Sequence, residues 1–188
     1  MLSRRSLLAC SAAICGTIVV PASAHPTGKK PFKVDPKFEP QSVRYFSHPP
    51  GTIVVDTGKH FLYLVESYGS ARRYGIGVGK AGRSLKGEAV VERKAKWPSW
   101  RPTANMIRRE PGKYAKYAAG VPGGPGNPLG SRALYLYRNG RDTMYRIHGT
   151  TEPSSIGRSV SNGCVRMINV HVEDLFERVP LGTRVIIL

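Results

Sequence analysis

Ile147-His148-Gly149-Thr150 and Ser161-Asn162-Gly163-Cys164-Val165-Arg166-Met167 place an imidazole and a thiol sixteen residues apart. A thiol attacks carbonyl carbon as its thiolate, and a neighbouring imidazole that takes its proton creates an ion pair suited to acyl transfer. On that reading Cys164 has a depressed apparent pKa and alkylates rapidly. Gly163 has no side chain and allows the backbone close to a substrate carbonyl, where N–H groups hold a developing oxyanion. Ser161, Asn162, Gly163 and Arg166 are therefore the candidate substrate-binding or oxyanion residues around the catalytic pair. Arg166 can bind a substrate carboxylate, favour the thiolate, or simply brace the loop. Alone, His148 reads as a histidine packed beside a hairpin and Cys164 as a small buried side chain. It is the pair, outside any apolar run, that points to chemistry.

Other site chemistries lack support. His25, His48, His60 and His171 are scattered with no metal-ligand spacing relative to Cys164, so no metal and no cofactor are expected. No Gly-x-Ser-x-Gly elbow is present. The segment GVPGGPGNPLG (Gly120 to Gly130) has three prolines, no P-loop lysine, and precedes a strand. It reads as a loop at the rim of a site.

The chain opens MLSRRSLLACSAAICGTIVVPASAHP. A basic start, an apolar run of about 14 residues and Ala22-Ser23-Ala24 have the form of an export signal over residues 1–24. The run is short of the roughly 20 residues needed to span a bilayer. Ser3-Arg4-Arg5 followed by Leu7-Leu8 resembles a twin-arginine signal. Cleavage would remove Cys10 and Cys15 and leave Cys164 as the one cysteine of a 164-residue mature chain. Such a chain forms no internal disulfide, and a lone thiol in an oxidising compartment is buried, paired between chains, or reactive.

The mature chain carries 27 basic against 12 acidic residues, a net charge of +15. A surface of this sign attracts polyanions. Export and the lack of a nucleic-acid-binding signature argue against nucleic acid and for an anionic polymer of the periplasm or cell envelope.

The elements that must position the pair are mostly strands. Residues 25–50, with PTGKKPFKVDPKFEP, read as a basic Pro/Lys-rich linker ahead of a single domain at 51–188. Strands are expected at Thr52 to Asp56, His60 to Glu66, Arg72 to Gly79, Glu88 to Ala95, Ala133 to Arg138, Asp142 to His148, and in the closing TRVIIL. Asn139-Gly140 marks a tight hairpin between two of them. A short helix is expected at Thr103 to Glu110, ended by Pro111-Gly112. Val172, Leu175, Phe176 and Val179 give the i, i+3, i+4, i+7 stripe of an amphipathic helix that stops at Pro180-Leu181-Gly182. Many strands with few short helices imply a mainly β fold, a β-sandwich of mixed sheets.

With these residues in view, the sequence resembles the L,D-transpeptidases with the YkuD-type catalytic domain. The carriers are His148-Gly149-Thr150, the gap to Cys164, the run Ser161 to Met167, Asn169 and the helix ending Leu175-Phe176, over about residues 52–188. Trp97-Pro98-Ser99-Trp100 and Gly123 to Gly130 look like segments of the family's periplasmic branch. The resemblance implies a β-sandwich catalytic domain that attacks peptidoglycan tetrapeptide stems after the third residue. Release of D-alanine leaves an acyl-enzyme, and an amine of a second stem or of an envelope protein then takes the acyl group. It further implies Cys164 as nucleophile, His148 as base and acid, the Gly149 carbonyl as the group orienting the imidazole, and the Gly163 and Cys164 amides as oxyanion donors. Inhibition by carbapenems follows from the same resemblance, and a monomer is expected. Two departures are visible. Asn162 stands where many members have histidine, and His171 where many have an acidic residue, for which a small stability cost is expected. A hydrolase of the same fold and a non-catalytic envelope-binding module are the competing expectations.

Overall fold

Ile53, Val54 and Val55 are all fully buried, an unbroken apolar run that suits a strand covered on both faces. They belong to β2 (Ile53–Asp56), one strand of the computed structural model, which describes residues 32–80 and 85–188. The export signal expected at residues 1–24 and the first part of the linker lie outside the described residues. The other strands are β1 (Gln41–Tyr45), β3 (Phe61–Ser67), β4 (Gly69–Gly75), β5 (Val78–Gly79), β6 (Gly87–Lys96), β7 (Arg132–Arg138), β8 (Arg141–His148), β9 (Ser159–Ser161), β10 (Val165–Arg166) and β11 (Arg184–Ile187). The helices are α1 (Ala104–Arg109), α2 (Pro111–Tyr114) and α3 (Asn169–Arg178).

Nine strands form one mixed sheet in the order β1-β4-β3-β2-β11-β6-β7-β8-β10, and β5 pairs with β9. The architecture is mainly β with few short helices, as expected. The sheet is continuous and curves back on itself: Tyr74 of β4 and Ile147 of β8 share one buried cluster. Gly77, just past β4, exchanges two backbone hydrogen bonds with Arg166 of the last strand in the order. At the Asn139-Gly140 hairpin φ is 51° and 69°, the left-handed pair that a two-residue turn of this hand requires.

Two differences from expectation are local. The strand expected over Arg72 to Gly79 breaks after Gly75, where the chain leaves β3 and bonds instead to Arg166 and then to β9, a close passage in which a Cβ at Gly75 would collide with Phe38 and one at Gly77 with the Ser155 carbonyl. The chain turns there instead of running straight. Pro111, expected to end a helix, begins a second one. Its ring costs nothing at the first helical position, where no backbone donor is needed. Thr103 caps α1 through Oγ1, which accepts from the Met106 amide at 3.2 Å.

The expected linker over residues 25–50 is corrected in its second half. β1 pairs antiparallel with β4 along its whole length. Tyr45 stacks on Tyr63 with ring centroids 4.9 Å apart, and Phe38 packs against Phe61. The prolines and lysines of this stretch mask a short strand sequence, Val43-Arg44-Tyr45, whose partner is far away in the chain. Glu39 reaches His171 in the first turn of α3, with Oε2 and Nε2 3.1 Å apart. No side chain caps the start of α3 and its first turn holds no acid, so His171 leaves the helix end uncapped and does something else. It is buried, its pKa is lowered by that burial against the pull of Glu39, and it anchors the segment that leads into β1.

α3 buries Val172, Leu175 and Phe176 against the core, as the stripe requires. Asp174 ties it to the sheet by accepting from Arg72 Nε at 2.8 Å and from the Tyr74 hydroxyl at 2.7 Å. At the other end Lys94 of β6 donates to the carbonyls of Phe176 and of Val179, the latter at 2.7 Å. A cation there satisfies helix-terminal carbonyls and complements the dipole. Lys94→Met is expected to lower stability by about 1–2 kcal/mol in urea unfolding, with little change in the site.

Candidate active site

β8 ends in His148, and β10 runs parallel beside it with Arg166 opposite His148 and Val165 opposite Ile147. Cys164 directly precedes β10, so in this parallel register the thiol stands beside Arg146, two residues before His148 on β8. His148 and Cys164 line a single cleft of ≈ 790 Å³. The Gly120 to Gly130 loop contributes Gly126, Pro128 and Leu129 to its rim, as the sequence indicated. Trp100 from the Trp-Pro-Ser-Trp segment lines it too, packed edge-on against Tyr114 and Tyr117.

The imidazole is held in one orientation. His148 Nδ1 lies 2.5 Å from the Gly149 carbonyl oxygen, an acceptor, so Nδ1 carries the proton and Nε2 is the basic nitrogen. Burial lowers the ring's pKa to about 4, the Gly149 carbonyl opposing and the charges of Arg166 and Arg146 adding to the fall. For Cys164 burial pushes the thiol up, against the Arg146 amide and the charges of Arg146 and Arg166, which favour thiolate. Burial disfavours the charged form of each group more than the neighbouring arginines favour thiolate, which runs against the expected resting ion pair and depressed thiol pKa.

The turn before the thiol has its own bracing. Gly163 is buried with φ at 138°, a conformation open to glycine. Its amide donates to Ser161 Oγ at 3.1 Å, and the Ser161 hydroxyl donates to the Cys164 carbonyl at 2.7 Å. Ser161, 3% exposed, is a brace of the turn, and the Gly163 amide expected at an oxyanion is engaged by it. Asn162 Nδ2 donates to the Tyr114 hydroxyl at 2.7 Å and so links the turn to α2. Arg166 Nη1 donates to Glu152 Oε2 at 2.7 Å, which supports the loop-bracing reading of this arginine at the edge of the cleft.

The sequence marks Asn169 only as a carrier of the resemblance, with no role, and does not mark Arg146. Asn169, the first residue of α3, accepts with one oxygen from the amides of Thr150 at 3.1 Å and Ser131 at 3.3 Å. That oxygen joins the loop after His148 to the chain entering β7, and nothing in the local sequence announces it. Arg146, two residues before His148, makes a two-pronged contact with Asp142 at 2.7 and 2.8 Å and lies over Tyr135. Its alternation with His148 along β8 was the available signal. Among the described residues no group of three or more His, Cys, Asp or Glu side chains converges as a metal site would need.

The sequence model of the L,D-transpeptidase catalytic domain, YkuD, matches residues 50–187. The chain belongs to the L,D-transpeptidase family. Among curated members, the Escherichia coli protein named "Probable L,D-transpeptidase ErfK/SrfK" is 40% identical over 139 residues, covering 72% of this chain and 43% of that protein. "Probable L,D-transpeptidase YbiS" of the same organism is 44% identical over 112 residues, covering 58% and 35%. The chain thus matches less than half the length of these family members. Among solved structures, one from Brucella melitensis described as a probable carnitine operon oxidoreductase is 55% identical, with a TM-score of 0.57 and coverage of 82% of this chain and 96% of that one. An L,D-transpeptidase from Mycobacterium smegmatis shares the fold at 18% identity, with a TM-score of 0.53 and coverage of 73% and 58%.

Proposed function

We propose that this member of the L,D-transpeptidase family is an exported cysteine acyltransferase acting on peptidoglycan tetrapeptide stems in the periplasm or cell envelope. The observation that carries the reading is the juxtaposition of Cys164 with an imidazole locked by the Gly149 carbonyl, in one cleft of a YkuD-type domain. It rests on the family match and not on the description of the Brucella melitensis protein. Export is supported by the leader-like residues 1–24, and attraction to an anionic polymer by the basic balance of the chain.

The chemistry starts from a neutral resting pair. As substrate displaces water, His148 Nε2 takes the Cys164 proton while Sγ attacks the carbonyl carbon of the third stem residue. The tetrahedral oxyanion is held by the Cys164 amide at the turn, the Gly163 amide being engaged by Ser161. Its collapse breaks the C–N bond, and the imidazolium returns its proton to the departing D-alanine amine. A thioester remains. An incoming amine, from a second stem or an envelope protein, attacks the thioester, gives its proton to His148, and the thiolate is reprotonated from there. A base of low pKa is weak but is fully unprotonated at neutral pH, so every molecule is competent to start.

The test is mass spectrometry of disaccharide-tetrapeptide incubated with the protein and with Cys164→Ser, with and without a D-amino acid acceptor. Loss of D-alanine joined to acceptor or stem transfer, dependent on Cys164, is the expected result. Tripeptide alone identifies a hydrolase of the same fold. Unchanged substrate with wild type overturns the reading in favour of an envelope-binding module.

A further inference from the structure

Met144 is the one residue of the cleft lining with a strained backbone among the described residues that is neither glycine nor buried. Its φ is 64°, in the left-handed region that an unbranched but bulky side chain rarely occupies, and its side chain is largely in solvent at 58% exposure. It sits in an irregular stretch of β8, between the pairs Tyr137↔Asp142 and Tyr135↔Arg146. Bulges of this kind re-aim side chains beside active sites.

The conformation is over-determined by its neighbours. The Met144 amide donates to Asp142 Oδ1 at 2.7 Å, and that carboxylate also grips Arg146. Thr143 Oγ1 donates to the Leu136 carbonyl at 2.6 Å and accepts from the Tyr145 amide at 3.2 Å. Strain held this firmly by surrounding bonds collects at functional sites. What it achieves here is placement: the Met144 carbonyl faces Cys164 Sγ at 3.9 Å, and the residue lines the cleft with Cys164. A flexible, polarisable apolar side chain, its Sδ 3.9 Å from Arg146 Nη2, is thereby held in water at the cleft, whose lining also includes Trp100, Pro128 and Leu129.

We propose that Met144 is a substrate-positioning residue, an apolar wall that packs on methyl and methylene groups flanking the attacked carbonyl. The assignment rests on the acyl-transfer reading of the cleft for its substrate, but its geometry concerns the thiol alone. Two variants separate wall from scaffold. Met144→Gly keeps the positive φ at no steric cost and removes the wall, whereas Met144→Leu keeps the wall.

The first readout needs no turnover: the ratio of Cys164 alkylation rates by N-benzylmaleimide and N-methylmaleimide, measured with the melting temperature. For Met144→Gly the ratio is expected to fall at least threefold while the melting temperature is unchanged or raised, and Met144→Leu is expected to stay near wild type. The second is kcat/KM with tetrapeptide, expected to drop at least tenfold in the glycine variant and to recover in the leucine variant. A maleimide ratio that does not move in Met144→Gly overturns the proposal. So does a glycine variant that loses stability and reactivity together, or a leucine variant as impaired as glycine. If wild type does not process tetrapeptide yet the ratio shifts as stated, the acyl-transfer reading fails and the role of Met144 stands.

Discussion

His148→Gln is expected to lower kcat/KM for tetrapeptide about 10³-fold with the fold intact. The glutamine amide can still donate to the Gly149 carbonyl, which fills the place of the Nδ1 contact, but it cannot accept the thiol proton. In wild type the acid limb of the pH–rate profile lies near the His148 pKa of about 4, because only the neutral ring is a base. No limb is expected between pH 5 and 7. Alkylation of Cys164 by iodoacetamide should climb steadily through the neutral range, since burial raises the thiol and thiolate accumulates only as pH approaches its pKa. A plateau reached below pH 7 would establish a resting ion pair and sink the neutral-pair account.

The same burial has a signature in stability. The His148 pKa falls from 6.5 to about 4 on folding, so the unfolded chain binds more protons between those values. The stability that neutral His148 allows is complete above pH 6.5 and is lost as pH falls toward 4, by roughly 3 kcal/mol over the window. In urea titrations at pH 7 and pH 4 His148→Gln is expected to show a smaller acid loss than wild type.

The second large effect concerns a residue that touches no substrate. Gly130→Ala is expected to cost roughly 3 kcal/mol, summing a left-handed backbone penalty and overpacking. Gly130 has φ at 64°, and a Cβ there would collide with Asn169 Oδ1, the Thr150 amide and the Gly149 carbonyl carbon. Those atoms are the clamp that positions the Gly149 carbonyl against His148, so the residual folded fraction is expected to have lost activity as well. Gly112→Ala is the control. No atom lies within 4 Å of a Cβ at Gly112 and its φ is ordinary, so its melting temperature should match wild type or exceed it.

The clearest parts of the molecule in the sequence were those whose cause is local. Asn139-Gly140 declares a hairpin because both φ angles must be positive, and the α3 stripe declares itself by period. His148 and Cys164 were legible because one short connection returns the chain to the neighbouring strand end. Asn169 and Glu39 act through partners elsewhere in the fold. The distance between Glu39 and His171 along the chain is 132 residues, and no window of sequence displays such a pairing. Ionisation is not legible for the same reason: the proton balance of the pair depends on how much water the completed cleft excludes, which residue types do not report.

The place of β11 bears on when the site comes into being. It lies between β2 and β6 and is later in the chain than every other strand, pairing Val185 with Ile53. The β2–β4 meander, with β1 added on β4, and the β6–β8 meander can each zip up from near neighbours, but they become one sheet only when this late segment threads between them. Contacts of such long range are slow to form. Until they do, the buried cluster that Val185 and Ile187 share with Ile147 is incomplete, and the dry surroundings that keep the thiol protonated have not formed. Nascent or partly folded chains therefore carry an ordinary, wet cysteine that alkylates more readily than the folded one, and the closing of the sheet shields it.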